Sequence, residues 1–127
     1  MHTSVVQQAG TRFHGDEDAF LQCFDQEVKV WFEPGEEQPL VGSRDELKAW
    51  RSRILKRYPA LTAVIGEVEP HGPGVVADVV VVAPDDGELG WRYALAIGMS
   101  GERIAEVRVF WQRGSAVRFL AEDSRRP

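Results

Sequence analysis

The stretch Val28-Lys29-Val30-Trp31-Phe32-Glu33-Pro34 is followed, nine residues after the glutamate, by Gly42-Ser43-Arg44-Asp45-Glu46-Leu47, and these two segments decide how the chain is read. The first is a strand of β-branched and aromatic residues. Pro34 ends it, because proline has no N–H to give to a ladder. In the second, Ser43 and Glu46 have the spacing of a capping box, in which the serine oxygen accepts from the amide at Glu46 and the glutamate reaches back. Leu47, Trp50, Ile54 and Tyr58 then recur at steps of three and four until Pro59, which predicts an amphipathic helix closed by the proline. A strand that ends in a carboxylate, a turn and a capped helix place Glu33 beside a helix-covered sheet.

Upstream, Val5, Val6, Ala9 and Phe13 predict a helix over 4–13 with one buried stripe, and His14-Gly15 ends it. Asp16 reads as the N-cap of a second helix, with Glu17 and Asp18 at the positive end of its dipole. Ala19, Phe20, Cys23 and Phe24 form the apolar face of that helix, which makes Cys23 a small core residue. Lys48, Arg51, Arg53, Lys56 and Arg57 lie on the other face of the Ser43-capped helix. They read as a solvated face with cations near a helix C-terminus rather than a nucleic-acid surface.

Downstream the pattern changes to strands over 61–68, 75–83, 89–99 and 104–112. Turns are expected at Pro70-His71-Gly72-Pro73-Gly74, Asp85-Asp86-Gly87-Glu88 and Ser100-Gly101-Glu102. A short closing helix is expected over Ser115–Ala121. Helices first and hairpin-linked strands after them indicate an α+β domain spanning 1–127, with helices on one face of a curved antiparallel sheet.

The last hairpin has two readings, and a one-residue slip exchanges its faces. A two-residue loop at Ser100-Gly101 pairs Leu95 with Glu106 and Tyr93 with Arg108. A three-residue loop pairs Leu95 with Val107, Tyr93 with Val109 and Trp91 with Trp111. The second is preferred because it keeps Glu106 and Arg108 out of an apolar face. The inner face is then Trp91, Tyr93, Leu95, Ile97, Ala105, Val107, Val109 and Trp111. Asp78 also depends on a turn. One loop length sets it opposite Leu95 and inside. The other sets it opposite Ala94 and outside, near Arg92 and Arg108, which avoids an unpaired buried charge and is favoured.

The chain has 127 residues, 43% hydrophobic and 28% charged, enough for one core without disulfides or a metal. A net charge of −5 argues against binding phosphate backbones. The single cysteine, Cys23, leaves no internal disulfide and fits a reducing cytoplasm. No signal-peptide pattern opens the chain, and Val79–Ala83, the longest apolar block, is too short to span a bilayer. A cytoplasmic protein with no nucleic-acid or membrane partner is expected. His2, His14 and His71 do not cluster with Cys23 or the acids at metal-ligand spacing. No phosphate loop, nucleophile elbow or dinucleotide fingerprint is present, so no cofactor or metal is expected.

Gly15-Asp16 before a helix, Trp31-Phe32-Glu33-Pro34, Gly42 at its spacing, Trp50 on the following helix and the closing Gly101-Glu102-Arg103-Ile104 hairpin together resemble the SnoaL-like branch of the nuclear transport factor 2-like superfamily. The resemblance covers nearly the whole chain. It implies a cone in which three helices cover a strongly bent, mostly antiparallel sheet and enclose a pocket, often with homodimerisation through the outer sheet face. The superfamily includes ketosteroid isomerases, polyketide cyclases, epoxide hydrolases and dehydratases, besides non-catalytic members. Glu33 falls where ketosteroid isomerases keep their general base. Their substrate-binding tyrosine falls near Gln8, their second oxyanion donor near Leu95, and the aspartate that polyketide cyclases carry at the end of the last strand falls at Gln112. The inward Asp-Arg-Asp set of the epoxide hydrolases is not found.

Two functional readings follow. In the first, a small hydrophobic molecule occupies a pocket lined by Gln8, Trp31, Trp91, Tyr93, Leu95, Val107, Val109 and Trp111. Glu33 is then the base of an isomerase, cyclase or dehydratase, its pKa raised above about 4.3 by desolvation beside Trp31. Gln8 or Tyr93 anchors the ligand, and Asp78 joins as an acid/base partner only if it faces inward. In the second, the chain is a non-catalytic ligand-binding or dimerisation module.

Overall fold

A computed structural model describes residues 2–32, 38–83 and 89–123. The order is α1 (His2–Arg12), α2 (Glu17–Leu21), β1 (Phe24–Phe32), α3 (Arg44–Arg57), β2 (Thr62–His71), β3 (Gly74–Ala83), β4 (Leu89–Ser100), β5 (Arg103–Phe110) and α4 (Arg113–Asp123). The strands form one open sheet ordered β1-β5-β4-β3-β2. It is antiparallel except where β1 runs parallel to β5. Register irregularities interrupt three of the four ladders, between Phe24 and Lys29, Ile65 and Val68, and Gly98 and Met99. Each inserts local bend and twist, which curves the sheet.

Both expected N-caps form, the Ser43/Glu46 box through its serine half alone. The Asp16 carboxylate accepts from the Ala19 amide at 3.0 Å, and the Ser43 hydroxyl accepts from the Glu46 amide at 3.2 Å. Helix α3 ends at Arg57, with Tyr58 as its C-cap just before Pro59. Helix α2 is shorter than the Phe20/Cys23/Phe24 spacing suggests: the chain turns at Gln22-Cys23, and Phe24 is the first residue of β1.

The main core lies between the sheet and α1–α3. Val6 and Ala9 of α1, Phe20 and Leu21 of α2 and Leu47 of α3 pack with Val28, Val75, Ala77, Ile97 and Ile104. This is the concave face. The alternation of the strands sends the other set of side chains to the convex face, where α4 lays Ala116 and Leu120 on Val76, Ala94 and Ala96. Among the described residues there are therefore four helices, three concave and one convex. The expected closing helix is longer than Ser115–Ala121 and covers part of the outer face.

Arg51, read from the sequence as part of a solvated basic face, is buried at 6% exposure. Its Nε donates to the Phe13 carbonyl at 2.8 Å and its Nη2 to the Gly15 carbonyl at 2.9 Å. Its guanidinium lies 5.4 Å from the centre of the Phe20 ring. It therefore ties α3 to the turn that joins α1 and α2.

The last hairpin follows neither expected register. The turn is Gly101-Glu102, with Ser100 opposite Arg103 and Gly101 at φ 61°, a left-handed conformation that suits glycine. Met99 pairs with Ile104 and Gly98 with Glu106, so Ala105 is an extra residue on β5. The shorter turn moves the preferred register by one and the bulge by one more. Leu95 sits opposite Val109 and Ile97 opposite Val107. A shift of two preserves facing, so Leu95, Ile97, Val107 and Val109 stay concave, and Glu106 and Arg108 convex.

Candidate functional site

Away from the main core, three elements bring aromatic rings together on the concave face. Phe32 closes β1, Tyr93 lies in β4, and Trp111 follows β5. The Tyr93 ring is 6.3 Å from that of Phe32, edge to face, and 5.1 Å from that of Trp111. Phe32 is 36% exposed and Trp111 63% exposed, so this cluster meets solvent rather than closing into core. Beneath it lie Val79, opposite Tyr93 in the β3–β4 ladder, and Val109, opposite Phe32 in the β5–β1 ladder. Both valines are buried. Trp91 is half-buried opposite Val81 and extends the same row.

Tyr93 supplies the polar group. Burial pushes its phenol above the usual value near 10, so it is a neutral O–H donor at physiological pH. Half-exposed aromatic rings beside buried valines, with one phenol among them, suit a planar hydrophobic molecule that carries an oxygen acceptor.

The expected site residues divide. Tyr93, Trp91, Val109 and Trp111 belong to this patch. Leu95 and Val107 face the same way but pack deeper, against the main core. Trp31 does not line it. Trp31 pairs with Arg108 in the ladder and lies under that guanidinium on the convex face, so its neighbour Phe32 takes the concave place. Gln8 stands on the exposed side of α1, within 3.4 Å of Ser4 Oγ. The groove it borders, with Arg12, Glu102 and Arg103, contains none of the aromatics. Asp78 is opposite Ala94 and thus convex, and the inward placement that would make it an acid/base partner does not occur. Its partner is Arg113 at 2.9 Å, at the start of α4, rather than Arg92 or Arg108. Glu33, Asp85, Asp86, Gly87 and Glu88 lie outside the described residues.

Arg113 also approaches Glu69 at 3.4 Å, and Glu69 lies 3.3 Å from His71. Glu67 leans on Glu69, and a proton shared between the two carboxyls raises the Glu67 pKa and lowers that of Glu69. This cluster clasps α4 to β2 and β3. A second groove, of about 460 Å³, lies between α1 and β2, lined by Gln7, Thr11 and His14 among others. Its imidazole Nε2 accepts from the Ala63 amide at 3.2 Å. Among the described residues no three His, Cys, Asp or Glu side chains come together as metal ligands. No described helix is long and apolar enough to cross a membrane.

Comparison with solved structures fits this arrangement of sheet and helices. A protein from Jannaschia sp. CCS1 named as a SnoaL-like polyketide cyclase superposes with a TM-score of 0.72 at 15% identity, over 99% of this chain and 93% of its own. The fold is SnoaL-like. A cystatin-fold protein from Novosphingobium aromaticivorans gives a TM-score of 0.75 at 12% identity, over 86% of this chain and 97% of that one. TerC, whose crystal structure was obtained with polyporic acid, gives 0.70 at 9% identity, over 93% and 96%. No family model and no curated protein sequence matches the chain. A shared SnoaL-like fold carries many chemistries, so function is argued from the site.

Proposed function

We propose that the chain binds a small, planar hydrophobic molecule on the Phe32–Tyr93–Trp111 patch, with the Tyr93 hydroxyl donating to an oxygen of the ligand. The observation that carries this reading is the exposure of an aromatic cluster around a half-buried phenol. The exposed rings and the valines beside them supply affinity, and the phenol supplies orientation. Tyr93→Phe removes one neutral hydrogen bond, about 0.5–1.5 kcal/mol. An oxygen-bearing ligand such as 2-naphthol is expected to bind roughly two- to ten-fold more weakly to that variant, and naphthalene equally to both. Equal loss for the two probes would refute the donor role.

The catalytic form of the proposal adds Glu33 as general base for proton transfer, isomerisation, cyclisation or dehydration. It rests on the position of that glutamate in the SnoaL-like resemblance and on its place directly after Phe32 in the chain. Glu33→Gln is expected to abolish turnover of a substrate while sparing its binding. Retained turnover puts the base elsewhere. Without turnover the chain is the non-catalytic binding module, using the same patch. Homodimerisation through the outer sheet face is part of the proposal, confined to the area around Val64, Val80, Val82 and Arg92 that lies beyond the α4 contacts. Val64 is 62% exposed there. Sedimentation as a monomer at micromolar concentration would contradict it. A cytoplasmic location completes the reading.

A further inference from the structure

We propose that Arg108, on the opposite face of the sheet, is a positioning residue for the aromatic patch and couples α4 to it; this rests on the reading of the patch as a ligand site. Strand β1 is at the edge of the sheet, and its ladder to β5 is irregular between Phe24 and Lys29. Pairing is continuous only over Lys29↔Glu106, Val30↔Val107, Trp31↔Arg108 and Phe32↔Val109. On its other side β1 meets an isolated bridge, Val30↔Val41. The last two residues of β1 are therefore held by the final two ladder pairs and by their side chains.

Successive residues of a strand point to opposite faces, so whatever fixes the Trp31 ring also fixes the direction of Phe32. The Arg108 guanidinium carbon lies 4.7 Å from the centre of the Trp31 ring and 4.6 Å from that of Phe119 in α4. Its Nε donates to the Glu106 carboxylate, which orients the guanidinium plane. Phe119 is anchored in turn by Phe110, 5.9 Å away. A planar cation between two rings is a connection that lysine cannot reproduce. The chain of contacts runs from α4 through Arg108 and Trp31 to the backbone that carries Phe32, without touching the concave face.

The test is calorimetric titration of 2-naphthol into the full chain, well below the unfolding temperature, for wild type, Arg108→Lys, Phe119→Leu and Phe119→Tyr. Arg108→Lys and Phe119→Leu are expected to weaken binding by roughly three- to ten-fold at unchanged far-UV circular dichroism, and Phe119→Tyr, which keeps a ring, to bind as wild type. Unchanged affinity in Arg108→Lys and Phe119→Leu, with only a lowered Tm, overturns the proposal and leaves the stack a stability element. If wild type does not bind 2-naphthol, the binding reading fails by itself. Amide exchange at Trp31 and Phe32 in the free protein then decides the coupling: several-fold faster exchange in both variants sustains it, and wild-type rates overturn it.

Discussion

Replacing Arg51 removes a buried cation whose two carbonyl partners lie on the turn between α1 and α2, and the cost can be worked from its contacts. Hydrogen bonds from a charged donor contribute about 1.5–3 kcal/mol each when the acceptor stays buried. The Phe13 carbonyl, on a half-buried residue, loses its bond largely uncompensated. Gly15 is exposed, so water replaces most of the second bond. Loss of the guanidinium face over Phe20 and Phe13 adds to this. Arg51→Met, which keeps the alkyl packing, is expected to destabilise the fold by about 3 kcal/mol. Unfolding entropy of about 2.1 cal/mol/K per residue converts that into a Tm lowered by roughly 11 °C for a chain of 127 residues. Arg51→Lys reaches one carbonyl and is expected to recover about half the loss. Urea unfolding followed by circular dichroism measures both variants. Arg51→Met within about 0.5 kcal/mol of wild type would show that the turn is held by other contacts.

Two further substitutions test other parts of the frame. A Cβ at Gly10 would stand 2.2 Å from Ile65 Cγ1; overpacking of about 1–3 kcal/mol exceeds the helix-propensity gain of about 1 kcal/mol, so Gly10→Ala is expected to lower Tm, and a raised Tm refutes the close approach of α1 to β2. Glu67 has a raised pKa, so the folded state favours its protonated form, and that preference is a penalty on the ionised form that is relieved as pH falls through the folded pKa. Glu69 has the opposite sign: its contribution is present above the unfolded value near 4.3 and lost as pH falls through its lowered folded pKa. Glu67→Gln keeps a donor to Glu69 without the charge, so its Tm is expected to exceed wild type at pH 7 and to converge with it below about pH 4; a pH-independent difference would contradict the shared proton.

Local rules made much of the fold legible. The Ser43/Glu46 box and the apolar spacing to Tyr58 marked α3, and β-branched runs between turn residues marked the strands. Facing in the last hairpin was also readable, because burying Glu106 and Arg108 is costly in any register. The register itself was not, since no sequence signal marks Ala105 as the extra residue of a bulge. Trp31 was expected on the concave face, but Val28 and Val30 pack on the main core, so strand alternation sends Phe32 there and turns Trp31 toward Arg108 and α4. Arg51 was hidden for a similar reason: its place in a basic run resembles that of its exposed neighbours, and only the distant carbonyls of Phe13 and Gly15 distinguish it. The patch thus combines residues whose character and facing are local with a register and partners that only the fold supplies.

Site-resolved NMR titration of the full chain with 2-naphthol tests the aromatic patch directly. Saturable shifts are expected at Phe32, Tyr93 and the indoles of Trp91 and Trp111, with the groove beside Gln7, Thr11 and His14 unchanged. Shifts confined to that groove, or none at millimolar 2-naphthol, would contradict the patch as the binding site.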